Sequence, residues 1–289
     1  LNPNQVIEAL KKNNIKFYET GLKFGTITAY IEDEKFEITS LRRDISTDGR
    51  HAKVEFTDDW LKDAERRDFT INAIYSDLNG NLFDPFNGVE HLKKGKIIFV
   101  GDTDKRIKED YLRILRYLRF HLSYSKYKHE FEIKRILKKN IIGISNLSKE
   151  RLIDELKKFF KSSILKKLSK DKVSLELFEI IFPQLKNFKI FSNLNSFAKN
   201  MIEKPDFIFL LSILIIDGTD NTDYFIYKFK ISKKDQKRLK LIDLFYREKV
   251  TLNTLTEKNL NKFFYFNGRQ AVIDIINFKI FTSNKVEKK

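Results

Sequence analysis

The chain has no cysteine, which excludes disulfides and thiolate-bound metal centres. Histidine is almost as scarce, with four residues and none at the spacing of a helical ligand pair, so a zinc centre is not expected. Long hydrophobic runs are missing too. The longest, FIFLLSILII from Phe207 to Ile216, falls well short of the roughly 20 residues a membrane span requires, and a soluble chain without a membrane partner is expected. Methionine occurs once, at Met201, and the chain opens on Leu1. We read this as a start downstream of the protein's own N-terminus, which leaves any targeting signal unassessable.

What is abundant is positive charge. Across 289 residues the formal net charge is +16 and the pI about 9.6, a balance suited to a polyanion such as nucleic acid or an anionic surface. Lys, Asn, Ile, Phe and Tyr run high together, as an AT-biased genome would also produce, so both causes stay open. The length predicts two or more domains.

Along the chain, NPNQVIEAL reads as a helix with Asn2 as N-cap and Pro3 in the first helical position. GTITAYI and KFEITSL are β-rich runs joined by Glu32-Asp33-Glu34, a hairpin pattern. RRDISTDGRHAKVEF is polar, holds Gly49 and lacks helical periodicity, and we read it as a mobile loop. DDWLKDAERRDFTINAIY predicts a helix capped by Thr57 or Asp58 that passes into a β-prone end. Asn79-Gly80 and Asn87-Gly88 mark turns around a short strand, and KIIFV predicts a further strand. From Asp104 onward glycine and proline thin out. Lys-rich segments with helical apolar spacing follow, among them SKERLIDELKKFF and the tract from Lys233 to Tyr246, which predict a helical array.

Three constellations stand out. In KEDYLRILRYLRF, Asp110, Arg113, Arg116 and Arg119 recur every third residue, and on one helix they form a slowly drifting stripe. The ordinary alternative is a solvated face with Glu109 pairing to Arg113 at i, i+4 spacing. Arginine in a lysine-dominated chain favours the functional reading, because its planar fork suits phosphates and base edges. The second is ERRDFTIN, where Arg66, Arg67 and Asp68 sit at a helix-to-strand junction and Asn72 can reach hydroxyls. Surface salt bridging is its ordinary alternative. The third is Glu37, which strand alternation sets on the face opposite Phe36 and Ile38. A lone strand carboxylate is usually just exposed and matters only as part of a metal site.

The ordered series GLKFGTITAYI, FEITSLRRD, DGRHAKVEFTDDW, DAERRDFTINAIY, DLNGNLFDPFNG, RIKEDYLRILRYLRF and SKERLIDEL resembles class II tRNA nucleotidyltransferases, the CCA-adding enzymes, and their relatives the bacterial poly(A) polymerases. The resemblance covers roughly the first 160 residues. It implies an α+β fold, a polymerase-β-like mixed-sheet nucleotidyltransferase head followed by helical neck, body and tail. The corresponding spans are 1–102, 103–160 and 161–289, the last binding RNA.

It also implies transfer of CMP and AMP from CTP and ATP to the tRNA 3′ end, with pyrophosphate release, two Mg²⁺ ions and no template. The tRNA 3′ end and acceptor region would be the partner, in a bacterial-type cytoplasmic setting. RRD corresponds to Arg66, Arg67 and Asp68, implied to bind triphosphate and ribose. EDxxR corresponds to Glu109, Asp110 and Arg113, with Arg116 and Arg119 continuing the nucleotide-binding row. Glu37 stands at the third metal-site carboxylate. The family's Gly-Gly turn and Asp-x-Asp pair have no counterpart here, so this polypeptide is expected to lack turnover. A poly(A) polymerase, a CC- or A-only enzyme and a non-catalytic RNA-binding derivative remain alternatives. Oligomeric state is not legible.

The Asp110 and Arg113 pair also has a physical rationale of its own. Cytosine and adenine both offer an amino donor beside a ring-nitrogen acceptor, matching a carboxylate and a guanidinium. Uracil and guanine present the reverse, and each mismatch leaves a buried polar group unpaired at about 1–3 kcal/mol.

Overall fold

Asn2 begins the first helix as its sequence predicts. Its side chain accepts from the Gln5 N–H at 3.0 Å while Gln5 Oε1 accepts the Asn2 N–H, a reciprocal capping box, with Pro3 next in line. The computed structural model describes residues 1–46, 53–192, 206–248 and 256–282, together with 194 and 198. They fall into two units. One comprises Leu1–Arg113 with Tyr124–Ile136, the other Ile114–Ser123 with Leu137–Lys289.

In the first unit, α1 (Pro3–Lys12) is followed by strands β1 (Lys16–Gly21), β2 (Thr26–Ile31) and β3 (Glu34–Thr39), an antiparallel sheet in that order. The predicted hairpin joins β2 to β3, with Ile31 opposite Glu34. Its two turn residues, Glu32 (φ 48°) and Asp33 (φ 66°), are both left-handed. A two-residue loop of this hand matches the strands' own twist, which is why it forms without glycine. Val6 and Leu10 of α1 pack on Ile27 and Ala29 of β2, with Ile38 of β3 beside them.

Two segments differ from the sequence reading. The polar stretch read as a mobile loop carries strands β4 (Arg42–Ser46) and β5 (Lys53–Phe56), paired antiparallel from Arg42↔Phe56 to Ser46↔Lys53. Arg42, Arg43 and Asp44 are charged in succession, so β4 carries no alternation to read, and its two arginines take structural partners, the Phe24 carbonyl and Glu55. Gly49 lies outside the described residues. KIIFV forms only an isolated bridge, Phe69↔Phe99, because its apolar side chains are buried as core rather than aligned with a partner strand.

Helix α2 (Trp60–Glu65) is capped by Asp59, not by Thr57 or Asp58. Asp59 Oδ1 accepts the N–H groups of Leu61 and Lys62, and Thr57 Oγ1 accepts the Asp59 N–H. After a 3₁₀ turn at Thr70–Asn72, β6 (Tyr75–Ser76) pairs with β7 (Leu82–Phe83) around the Asn79-Gly80 turn. The second turn signal starts α3 (Gly88–Lys94), with Asn87 left-handed at φ 55°. Gly88 is required there for space: a Cβ would meet the Thr70 carbonyl oxygen at 2.2 Å. Helix α4 (Thr103–Glu109) is capped by Asp102, and α5 (Leu112–Tyr124) follows.

The second unit is helical. After α6 (Phe131–Asn140), α7 (Lys149–Phe159), α8 (Ser162–Leu168) and α9 (Lys172–Ile181) come α10 (Phe207–Ile215), α11 (Asn221–Phe229), α12 (Lys233–Arg247) and α13 (Glu257–Thr282). The N-caps repeat one device: Ser148, Asp171, Asp206 and Ser232 each accept the backbone N–H three residues on. Phenylalanine fills the interior. Phe178 packs on Phe159 and Phe182, and Phe182 on Phe229, at centroid distances of 4.9, 5.1 and 5.8 Å. The apolar run noted above is α10, buried from Ile208 to Ile215. Among the described residues no helix is long and apolar enough to cross a membrane.

Candidate nucleotide-binding site

The RRD junction is organised by a residue that the sequence reading missed. Asp63, on α2, is fully buried. Its Oδ1 accepts from Arg66 Nε and Nη2 at 2.8 and 2.6 Å, and its Oδ2 from Arg67 Nε and Nη2 at 3.1 and 2.8 Å. Tyr75 adds its hydroxyl to Oδ2 at 2.7 Å, and the Arg42 N–H reaches Oδ1 at 3.2 Å. One carboxylate therefore holds two guanidinium groups, each side-on through Nε and Nη2.

The geometry follows from helical spacing, since Asp63 precedes Arg66 by three residues and Arg67 by four. That DxxRR spacing is the signal by which Asp63 could have been found. Burial alone would push the Asp63 carboxyl up, but the Tyr75 hydroxyl and both arginines outweigh it and hold it below its ordinary value. Burial and donation to Asp63 push the Tyr75 phenol up to about 12.

The second motif converges on the same place from α4 and α5. Glu109 Oε2 accepts from Arg106 Nη1 at 2.5 Å and Arg113 Nη1 at 2.6 Å, so the i, i+4 pairing expected of an ordinary helix is present. Arg113 also donates to the carbonyls of Arg106, at 2.7 Å, and Arg66, at 3.4 Å, while Arg106 Nη2 donates to the carbonyl of Arg67. Residues 47 and 39 positions apart are thus joined by guanidinium-to-carbonyl bonds. Burial, then the adjacent Arg113 charge, push Arg106 below its ordinary value.

Asp110 is where the expectation of one continuous helix fails. Asp110 is extended (φ −154°, ψ 104°) and separates α4 from α5. Its Oδ1 accepts the Leu112 N–H at 3.1 Å, and its carbonyl accepts the Arg113 N–H. A short acidic side chain competes for backbone donors and so favours a helix start over a helix interior. Asp110 and Arg113 are neighbours across a helix start, not two rungs of one stripe.

A cavity of about 400 Å³ opens beside these groups. Arg43, Lys62, Arg66 and Arg106 line its basic side, with Asp44 and Glu109 among its acidic groups. Asp68 is buried and accepts the Phe69 N–H at 3.0 Å and Asn72 Nδ2 at 2.8 Å, so Asn72 orients Asp68. Arg42 and Arg106, absent from the sequence reading, each keep a buried Nε without a partner among the described residues.

Glu37 lies on β3, exposed, opposite Thr28 and paired to Lys35 at 2.7 Å. That hydrogen bond and the lysine charge hold its carboxyl below the ordinary range. One carboxylate tied to an ammonium, with threonine hydroxyls nearby, does not provide the oxygen shell that Mg²⁺ demands. The described residues around Glu37 do not fit a two-metal centre.

Arg116 and Arg119 lie further along α5. Arg119 Nε donates to Glu155 of α7 at 2.5 Å, and Glu155, fully buried, also accepts from Lys158 at 3.0 Å. The Arg119 guanidinium lies over the Phe120 ring at 4.4 Å, and Arg116 approaches the same ring at 5.7 Å. Of the DGRHAKVEF motif, residues 48–52 lie outside the described residues.

Small sheets followed by helices are a fold shared with solved CCA-adding enzymes. The chain is similar to the Bacillus stearothermophilus CCA-adding enzyme solved in complex with CTP, with a TM-score of 0.66 at 20% identity over 93% of this chain and 65% of that one. Residues 1–98 match the family described as Poly A polymerase head domain, and 127–189 that described as probable RNA and SrmB-binding site of polymerase A. The human mitochondrial CCA tRNA nucleotidyltransferase 1 is 50% identical over 159 residues, 54% of this chain and 37% of that protein. The CCA-adding enzyme of Staphylococcus haemolyticus is 30% identical over 259 residues, 89% of this chain and 62% of that protein. The chain belongs to the family of class II CCA-adding enzymes and poly(A) polymerases. It spans less than two thirds of the length of these relatives.

Proposed function

We propose that this chain carries the nucleotide-recognition part of a template-independent tRNA nucleotidyltransferase, which adds CMP and AMP to the tRNA 3′ end with release of pyrophosphate. The observation that carries this reading is the bonding of Arg106 and Arg113 to the carbonyls of Arg67 and Arg66. It ties the RRD motif to the EDxxR motif through backbone carbonyls, which supports reading the two as parts of one nucleotide site. The chain's own residues then have distinct tasks.

Arg66 and Arg67, assisted by the basic lining from Arg43 and Lys62, bind the triphosphate. Asp68, oriented by Asn72, meets the ribose. Asp110 accepts from the amino group of cytosine or adenine, and Arg113 donates to the adjacent ring nitrogen once its weak 3.4 Å bond to the Arg66 carbonyl is released. Because Arg113 is already held by Glu109, its fork needs little reordering on binding. The Lys-rich helical part supplies a sequence-independent attraction for RNA that falls with salt. Glu37, exposed and tied to Lys35, is given no step in this reading.

The test compares binding of CTP, ATP, UTP and GTP by calorimetry, in the wild-type chain and in Asp110→Asn. Tighter binding of CTP and ATP than of UTP and GTP, lost in the variant, is the expected outcome. Equal affinity for all four in the wild type overturns the reading. Binding of ATP without CTP moves it to the poly(A) polymerase alternative.

A further inference from the structure

Asp63 touches no predicted substrate position, yet it is the most heavily bonded carboxylate of the site. Six donor contacts converge on it: two from each of Arg66 and Arg67, the Tyr75 hydroxyl and the Arg42 N–H. Both arginines meet it through the Nε–Nη2 edge, and Arg67 also bonds to the Tyr75 side chain. Asp63 therefore fixes both planes, and Arg66 so held lines the cavity. Tyr75 is itself held by Trp60, whose ring meets it edge-on at 5.0 Å, and by the Arg67 guanidinium over its face at 5.8 Å.

We propose that Asp63, braced by Tyr75, is the positioning residue that aims Arg66 and Arg67 at a triphosphate. This rests on the reading of that pair as triphosphate ligands. Two adjacent guanidinium groups repel, and long side chains lose freedom when held in one geometry. A single carboxylate between them removes the repulsion and supplies the order in advance. The neighbouring Arg42 Nη1 is engaged by the Phe24 carbonyl and the Arg66 Nε also reaches the Arg42 carbonyl at 3.0 Å. The brace thus extends from α2 to β4, and the arginines cannot swing away as separate surface side chains would.

The proposal makes a prediction opposite in sign to simple charge counting. Deleting a carboxylate from a basic site should strengthen anion binding by electrostatics alone. If Asp63 positions the arginines, its removal should weaken binding instead.

The experiment measures affinity of the whole chain for inorganic tripolyphosphate, CTP and cytidine, in wild type, Asp63→Asn and Tyr75→Phe. Trp60, the single tryptophan, gives a fluorescence signal beside the site. Asp63→Asn is expected to weaken tripolyphosphate and CTP roughly tenfold, in line with loss of charge-assisted bonds, with cytidine unchanged. Tyr75→Phe, which keeps the ring and loses one donor, is expected to produce a smaller loss of the same pattern, and it decides the matter should Asp63→Asn fail to fold. Unchanged or tighter tripolyphosphate binding in the variants overturns the proposal. So does an equal loss for cytidine, the mark of a merely structural role. A wild type that binds tripolyphosphate but does not prefer CTP over UTP would sink the nucleotide-selective reading while the Asp63 comparison still stands. A wild type that ignores tripolyphosphate overturns both.

Discussion

Arg119 and Glu155 form a buried ion pair at 2.5 Å between α5 and α7 within the helical unit. The sequence offers 36 residues of separation and no pattern linking them. The pair converts an arginine expected in a nucleotide-binding row into one whose Nε is committed to the packing of helices.

A buried pair of this kind is costly to break from one side, because the remaining charge is left without its partner. Glu155→Gln should lower unfolding stability by about 3 kcal/mol, near the lower end of the range for such losses. Glu132→Gln, whose ion-pair partner among the described residues is the exposed Arg135, should leave it nearly unchanged. Urea midpoints with an unchanged slope check both.

The pH dependence of the Asp63 hub has a defined sign at each end. The folded Asp63 carboxyl lies below its ordinary value. Its stabilisation is present above the unfolded pKa of about 4 and is lost as pH falls through the lower folded value. Tyr75 is raised to about 12, so its contribution is complete below the unfolded value of about 10 and is lost as pH rises towards 12. Acid and alkaline unfolding curves of wild type against Asp63→Asn and Tyr75→Phe should therefore converge at the two extremes and diverge between them. Parallel curves would exclude the hub as their source.

Space around Gly88 gives a third expectation. Gly88→Ala should destabilise by about 1–3 kcal/mol through overpacking against the Thr70 carbonyl. Gly80→Ala meets no atom within 4 Å and carries only the strain of φ 85°, so it should cost less. Thermal unfolding of the two variants tests the order.

Local features were legible where neighbouring residues decide them. The Asn2 cap, the β2–β3 hairpin, α7 and α12 follow from propensity and short-range hydrogen bonding. The site was legible at the level of its motifs, Arg66-Arg67-Asp68 and Glu109-Asp110-Arg113. It was not legible in its connections. Asp63, Arg42 and Arg106 drew no separate reading and Asp110 read as a rung of a helix, because burial is a property of the packed chain. The strands β4 and β5 were missed for the same reason, since pairing requires a partner whose identity the alternation does not name.

The sequence by itself determined that a helix starts at Asn2, that β2 folds back on β3 and which charged motifs could meet a nucleotide. These depend on a few adjacent residues and their backbone donors. Tertiary structure alone joined Arg106 and Arg113 to the carbonyls of Arg67 and Arg66, buried Asp63 against Arg66 and Arg67, and brought Glu155 to Arg119 from 36 positions away. A guanidinium takes its role from the carboxylate that folding brings to it, and in a low-dielectric interior that partnership outweighs any preference carried by the side chain alone.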